Sequence, residues 1–121
     1  MHELSVCQAL VSQVETLVRQ NHAASVHRIK LKIGPLSGIE PALLLQAFPI
    51  ASAGSVAHDA RLEIKEQDVR VYCDECNRES DAKVNQLTCG YCGDWRTRIV
   101  SGDEMLLVSV EMNKSEELSH V

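Results

Sequence analysis

The 121-residue sequence predicts an α+β fold with a small sheet of three strands, two helices packed on one face, and an inserted zinc-ribbon-like loop of four cysteines. Three observations lead to this prediction. Apolar residues recur at helical spacing over residues 4–20, apolar and charged residues alternate over residues 26–33, and two C-x2-C pairs stand between the later strands. A single sheet with helices on one face would bury all of these apolar stripes.

The two predicted helices have distinct start and stop signals. The first is expected to end at Asn21, and its apolar face is formed by Leu4, Cys7, Val11, Val14 and Val18. The second follows a capping-box pattern of Ser37 and Glu40, and Pro41 is tolerated in its first turn. Pro49 is expected to break this second helix because proline lacks an N–H.

The three predicted strands alternate in the manner of half-buried strands. The first points Ile29, Leu31 and Ile33 to one side. The second contains Leu62 and Ile64 and is expected to continue towards Val69 and Val71. The apolar residues of the third strand are Leu106, Val108, Val110 and Met112. The predicted domains are therefore an α/β domain of residues 1–70 and 102–112, a zinc-binding insert of residues 71–101, and a disordered tail of residues 113–121.

The composition limits the class of protein. The chain is 45% hydrophobic and only 3% aromatic, and no apolar run approaches the ~20 residues that a membrane span needs. No secretory signal is evident, so a cytoplasmic protein with reduced thiols is expected. The formal net charge of −5 argues against a nucleic-acid binder, which would normally have a basic surplus. The sequence contains no nucleophile–base pair and no open metal site of the kind that would indicate an enzyme.

The strongest motif is a doubled pair of cysteines. Cys73 and Cys76 form the first C-x2-C pair, and Cys89 and Cys92 form the second. Two thiolates three positions apart on a tight turn can bind one ion, and two such knuckles give a closed tetrahedral shell of four thiolates, typical of structural zinc. Redox dithiols and free core cysteines are the alternatives, and iron would also fit four sulfurs. Cys7, by contrast, lies on the apolar face of the first helix and is expected in the core.

A second metal signal lies at the amino terminus. A histidine at position two, His2, allows the Met1 amine, the His2 amide and the His2 imidazole to chelate one metal, with Glu3 adjacent. Nitrogen donors in a plane suit Ni(II) or Cu(II), which favour square-planar geometry. Taken alone, this signal is weak, because an unstructured end that begins Met-His is a common alternative.

The residues described so far resemble the HypA/HybF family of nickel metallochaperones, which serve [NiFe]-hydrogenase maturation. The resemblance depends on the opening MHELSVCQAL, the segment IKLKIGPLSGIEPALL, the CDEC and CGYC knuckles, and the strand SGDEMLLVSVEM. These motifs occur in the family's order and extend to about Met112.

The resemblance implies a non-enzymatic carrier that binds Ni(II) at His2, with Met1 and Glu3 adjacent, and holds structural Zn(II) at the four cysteines. It also implies delivery of nickel to the hydrogenase large-subunit precursor with the help of a HypB-type GTPase. The carrier is expected to be a monomer or homodimer that acts in the cytoplasm, without nucleic acid or membrane. Some relatives have a histidine directly after a knuckle, where this chain has Asn77 and Gly93.

The competing functional class is a zinc-ribbon module that binds nucleic acid or a protein assembly. Asp74 and Glu75 in the first knuckle would repel phosphate, and only Arg78, Arg96 and Arg98 offset them. The remaining histidines are expected to be solvated side chains; they are His22, His27, His58 and His120.

Overall fold

The computed structural model describes residues 2–114 and contains two helices and six strands. In chain order these are α1 (Glu3–Gln20), β1 (Ala23–Ile33), α2 (Pro41–Ser52), β2 (Arg61–Glu66), β3 (Arg70–Cys73), β4 (Arg78–Asp81), β5 (Thr97–Ser101) and β6 (Met105–Lys114). The strands form two sheets of three strands each. Neither helix of the described residues is long and apolar enough to cross a membrane.

Helix α1 follows its predicted periodicity. The cap residue Asn21 donates its backbone N–H and its side-chain amide to the carbonyl of Leu17, at 3.0 and 2.8 Å, which confirms the predicted stop. The apolar residues buried on its inner face are Cys7, Leu10, Val11, Val14 and Val18. Leu4 was predicted on this face but is exposed, while the neighbouring Glu3 is buried.

Helix α2 does not begin with the predicted capping box. Its N-cap is Glu40, with Pro41 as the first helical residue and no side-chain cap. The Ser37 hydroxyl instead accepts the N–H of Ile39 at 3.2 Å. The N–H of Glu40 donates to the carboxylate of Glu3 at 3.2 Å, so a residue of α1 replaces the predicted local cap.

The predicted break of α2 at Pro49 is also wrong. The helix continues through Pro49 to Ser52, although proline removes one backbone donor. Leu44, Phe48 and Ser52 are spaced four residues apart, and all three are buried. Tertiary packing of this stripe against α1 therefore outweighs the local preference of proline.

The first sheet has the strand order β2-β1-β6, and it is the predicted sheet of three strands with two helices packed on one face. On β1, Ile29 and Leu31 are buried on the helix side. The opposite face is charged and partly exposed, with Arg28 paired to Glu63 at 3.4 Å. This difference between faces confirms the predicted alternation.

Strand β6 lies at the edge of the first sheet, and this position explains why part of its predicted apolar stripe is exposed. Leu106 and Val108 belong to its predicted apolar stripe, but they are 37% and 52% exposed. An edge strand has a neighbour on only one side, so part of its apolar surface stays uncovered. The strand ends at Lys114, two residues into the predicted tail, and residues 115–121 lie outside the described residues.

The second sheet has the strand order β4-β3-β5, with β3 antiparallel to both neighbours. Val71 was expected to continue β2, but it lies in β3 and is fully buried in this separate sheet. The segments that precede β3 and end β5 are hydrogen-bonded to each other. The Ser101 hydroxyl donates to the carbonyl of Asp68 at 2.9 Å, and the N–H of Gly102 donates to the side chain of Gln67 at 3.2 Å.

The chain divides into two compact units. The helical unit comprises Met1–Leu31, Glu40–Ile64 and Leu107–Val121, and the cysteine unit comprises Lys32–Ile39 and Lys65–Leu106. The cysteine unit therefore starts earlier along the chain than the insert that was predicted over residues 71–101. The assignment of nickel binding and zinc binding to separate domains remains a prediction.

Candidate metal centres

The four predicted cysteines converge on one point of the cysteine unit. The sulfur atom of each cysteine lies within 4.8 Å of the other three sulfur atoms. The sulfurs of Cys73 and Cys92 are 3.7 Å apart, and those of Cys76 and Cys89 are 3.5 Å apart. Ligands at ~2.3 Å from a tetrahedral zinc would have sulfur–sulfur edges of roughly 3.8 Å, so the spacing matches a closed shell of four thiolates.

The first knuckle is closed by a residue in a left-handed conformation. Asn77 has φ +56° and donates its N–H to the carbonyl of Cys73 at 2.8 Å. Asparagine tolerates this conformation better than most side chains. The Tyr72 hydroxyl donates to the Asn77 side-chain oxygen at 3.0 Å, which fixes the turn behind the ligands.

The second knuckle repeats this turn with glycines. Gly93 has φ +75° and donates its N–H to the carbonyl of Cys89 at 2.9 Å. Gly90 packs so closely that an added Cβ would lie 3.1 Å from the Cβ of Ser80, whose hydroxyl accepts the Gly90 N–H at 2.9 Å. Gly93 therefore adopts the left-handed conformation without strain, and a side chain at Gly90 would require Ser80 to shift by a few tenths of an ångström.

The sulfur environment favours a bound cation. The N–H groups of Cys92 and Tyr91 donate to the Cys89 sulfur at 3.5 and 3.3 Å, and they lower the pKa of Cys89 to about 6. The hydrogen bond with Cys89, together with burial, raises the pKa of Cys76 to about 12. Four thiolates this close would repel one another, so a metal cation is what allows all four to ionise.

Arginines neutralise the acidic residues around the knuckles. Arg98 pairs with Asp74 at 3.0 Å, and Arg96 pairs with Glu75 at 3.4 Å and with Asp94 at 2.8 Å. The hydrogen bonds from Arg96 lower the pKa of Asp94 to about 2. Because two of the three arginines noted in the sequence are engaged with carboxylates, they do not form the basic strip that a nucleic-acid ribbon needs.

The predicted nickel site lies at the start of α1. His2 is the N-cap of this helix, and its side chain is 55% exposed. Its Nε2 atom lies 3.9 Å from a carboxylate oxygen of Glu3. Met1, which would supply the terminal amine of the predicted site, lies outside the described residues.

Glu3 has a structural role that sequence reasoning missed. It is only 5% exposed, and its carboxylate accepts the Glu40 N–H, so it joins the first turns of α1 and α2. A hydrogen bond with the amino terminus, followed by the Glu40 N–H, lowers its pKa to about 2. The glutamate of the opening Met-His-Glu was the only sequence signal for this role, and its partner Glu40 lies 37 residues away.

Within residues 2–114, the four cysteines are the only group of three or more metal-binding side chains close enough to share an ion. His27 lies 3.2 Å from Glu111, and His58 lies 3.0 Å from Asp59, both at the surface. Cys7 is fully buried and donates its thiol to the carbonyl of Leu44 at 3.5 Å, as expected for a core cysteine.

Residues 1–112 match the HypA family model, which is described as a metallochaperone for hydrogenase/urease nickel incorporation. The hydrogenase maturation factor HypA of Nitrosospira multiformis is 47% identical over 112 residues, which cover 93% of this chain and 97% of that protein. The corresponding factor of Aquifex aeolicus is 38% identical over 112 residues, with the same two coverages. The solution structure of the Ni metallochaperone HypA from Helicobacter pylori aligns with a TM-score of 0.76 and 30% identity, over 95% of this chain and 100% of that chain.

Proposed function

This chain belongs to the HypA family of nickel-incorporation metallochaperones, and we propose that it carries Ni(II) at its amino terminus to the hydrogenase large-subunit precursor. A separate zinc ion at Cys73, Cys76, Cys89 and Cys92 has a structural role. The family is one of metallochaperones, not of enzymes, and its members act in hydrogenase maturation.

The observation that carries the nickel proposal is the exposed imidazole at position two. The N–H groups at a helix start have no partner within the helix, so the His2 amide is available for deprotonation and metal binding. The imidazole, this amide and a free Met1 amine would give three nitrogens in the plane that Ni(II) favours. The fourth position stays open to the Glu3 amide or to an external ligand.

The cysteine cluster is poorly suited to carry the cargo. Its four sulfurs lie close enough to complete a tetrahedron around one ion, which would leave no coordination position for an acceptor. Zinc fits this set because it binds thiolates tetrahedrally, and the binding free energy would stabilise a unit with few large apolar side chains. Exchange at His2, in contrast, requires no unfolding, because the imidazole already lies at the surface.

The proposed partners are a HypB-type GTPase, which takes part in nickel insertion, and the large-subunit precursor, which accepts the metal. Both exchanges are proposed to take place in the cytoplasm, where the thiols remain reduced. Some relatives have a histidine directly after a knuckle, but here these positions are Asn77 and Gly93. We therefore do not propose that the zinc site of this chain responds to histidine protonation.

Calorimetric titration with Ni(II), with zinc content measured alongside, tests the proposed site. The wild-type chain should bind one nickel, and His2→Gln should lower its affinity by roughly tenfold or more while zinc and fold are unchanged. Acetylating the Met1 amine should have a similar effect, because it removes the terminal nitrogen as a donor. His58→Gln is the matched control.

Unchanged nickel affinity in both His2→Gln and the acetylated chain would refute the amino-terminal site. Delivery is tested separately with nickel-loaded protein and purified large-subunit precursor, with and without the GTPase and GTP. We expect nickel to appear in the precursor from the wild-type chain but not from His2→Gln. Transfer that is equal for the two proteins would refute the proposed route.

A further inference from the structure

The four cysteines of the cluster differ in their exposure to solvent. Cys73 and Cys89 are buried and Cys76 is partly exposed, whereas Cys92 is exposed. Residues 90–93, which form the turn of the second knuckle around Cys92, are all exposed. A reagent dissolved in water therefore meets Cys92 before the three other cysteines of the cluster.

A buried cysteine of the first knuckle is placed to react with Cys92 once the Cys92 sulfur is modified. The sulfur atoms of Cys73 and Cys92 are 3.7 Å apart. A disulfide has a sulfur–sulfur distance of about 2.05 Å, so the two atoms would need to approach by less than about 2 Å. The sulfur of Cys89, in the same knuckle as Cys92, accepts the N–H groups of Tyr91 and Cys92 at 3.3 and 3.5 Å, and these hydrogen bonds weaken it as a nucleophile.

We propose that Cys92 is an oxidation site for hydroperoxides, and that Cys73 converts the oxidised sulfur into a disulfide that opens the metal shell. This role rests on the zinc site of the proposed function and adds to it a response to oxidants. Exposure selects the sulfur that reacts first, and the distance of 3.7 Å selects the sulfur that closes the disulfide. The metal cluster is then a modification site as well as a scaffold.

The chemistry consists of two displacements, with hydrogen peroxide as the oxidant. In the first, the Cys92 thiolate attacks one oxygen of the peroxide, so an S–O bond forms, the O–O bond breaks and hydroxide leaves. In the second, the Cys73 thiolate attacks the sulfur of the resulting sulfenic acid, so the S–S bond forms, the S–O bond breaks and a second hydroxide leaves. The two sulfurs together lose two electrons, which reduce the peroxide, and both hydroxides take up protons from the solvent to become water.

The consequence of the disulfide is loss of the closed shell. Only Cys76 and Cys89 remain as thiolates, and two ligands do not complete the tetrahedron of a structural zinc site. Because metal binding is proposed to stabilise the cysteine unit, loss of the ion would loosen the strands that lead into the knuckles. A dithiol reductant would restore both thiolates, so the change is reversible.

The test uses the full-length, zinc-loaded protein, whose zinc content is measured before any oxidant is added. Hydrogen peroxide is then added in steps, a chromogenic chelator reports the released zinc, and mass spectrometry of peptides locates the disulfide. We expect one disulfide, between Cys73 and Cys92, for each zinc ion released, and recovery of zinc binding after dithiothreitol and zinc are added. Trapping of sulfenic acid with dimedone at early times should place at least ~5-fold more label on Cys92 than on any other cysteine.

Substitutions identify the sulfur that reacts first. Zinc also accepts three thiolates and one imidazole, so Cys92→His removes the proposed sulfur and keeps a ligand at its position. This variant should retain its zinc at peroxide concentrations that release most of the zinc from the wild type. Cys76→His is the matched control, because it makes the same change at a partly exposed ligand, and it should release zinc as the wild type does. Cys7→Ala should also respond as the wild type does, because the buried Cys7 lies outside the cluster.

Equal labelling of the four ligand cysteines, a disulfide between any other pair, or retention of zinc under excess peroxide would overturn the proposed oxidation site. If a histidine variant does not hold zinc, the label and the disulfide found in the wild type decide the question. A wild-type protein that holds no zinc before oxidation would instead contradict the zinc site itself. The two failures are therefore distinguishable.

Discussion

The four cysteine sulfurs lie within 4.8 Å of one another on two backbone turns, whereas the imidazole of His2 is more than half exposed at the start of a helix. The first arrangement would surround a metal with protein ligands, and under the proposed function the second would leave part of the coordination sphere to solvent or to another protein. The proposed roles of the two sites therefore follow from this difference in enclosure. A closed shell suits a metal that must stay, and an open chain end suits a metal that must leave.

The backbone is arranged accordingly. Each cysteine knuckle ends in a left-handed residue, Asn77 or Gly93, so the ligands are fixed by the turn itself. His2 has an ordinary helical conformation with φ −79°, so no left-handed turn fixes its side chain. Substitutions of three residues test this contrast. Their expected effects on stability decrease in the order Cys73, Gly34 and Glu3.

Cys73→Ser should abolish zinc binding and unfold the cysteine unit. A serine hydroxyl stays protonated where a thiolate is needed, and structural zinc contributes an apparent ~10 kcal/mol or more to such units. Metal analysis and amide NMR should show loss of zinc and of the β3–β5 signals, while the helical unit keeps its own core. Cys7→Ala is the matched control and should keep zinc while losing about 1–2 kcal/mol of stability. Full zinc retention in Cys73→Ser would contradict the assignment of four cysteine ligands.

Gly34→Ala should destabilise the cysteine unit without removing a ligand. A Cβ at Gly34 would overlap the backbone carbonyl of Gly102, and neither backbone segment can rotate away as a side chain can. We expect a loss of ~3 kcal/mol in thermal unfolding. Gly38 has φ +79° but open space around it, so Gly38→Ala should lose only ~1 kcal/mol of stability. Equal losses for the two variants would show that backbone conformation, not the close contact, decides the effect.

The smallest effect concerns Glu3 at the start of the helical unit. The folded state lowers its pKa from 4.5 to about 2, so folding favours the ionised form. The resulting stabilisation is complete above pH 4.5 and is lost as the pH falls towards 2. A carbon-detected NMR titration of the Glu3 carboxyl should give a midpoint near 2, and Glu3→Gln should flatten the pH dependence of stability in that window. A midpoint near 4.5 would contradict the buried interaction.

Periodic segments and the cysteine ligands were predictable because their signals are local. Helix α1 and strand β1 repeat apolar residues at fixed spacing, and the knuckles repeat C-x2-C. The cap of α2 could not be predicted in this way, since its donor Glu40 and acceptor Glu3 are 37 residues apart. The passage of α2 through Pro49 likewise depends on a buried stripe that only the folded chain assembles.

The second sheet was missed for a different reason. Strand β4 reads Arg-Glu-Ser-Asp, and only Ser80 in it is buried, so no apolar alternation marks it as a strand. Its pairing with β3 and the hydrogen bond from Gly90 to Ser80 hold it in place. The sequence pattern located the metal ligands correctly, but the strands around them depend on contacts that a linear pattern does not contain.

The adjacent ends of the segment 68–101 have a consequence for evolution. Asp68 and Ser101 are hydrogen-bonded at 2.9 Å, so the two ends of this segment are neighbours within the cysteine unit. A gene segment that encodes the intervening residues could be exchanged for a related segment without changing the distance that the flanking strands must span. Recombination at these two positions would let relatives acquire new surfaces on the cysteine unit while inheriting the rest of the chain unaltered.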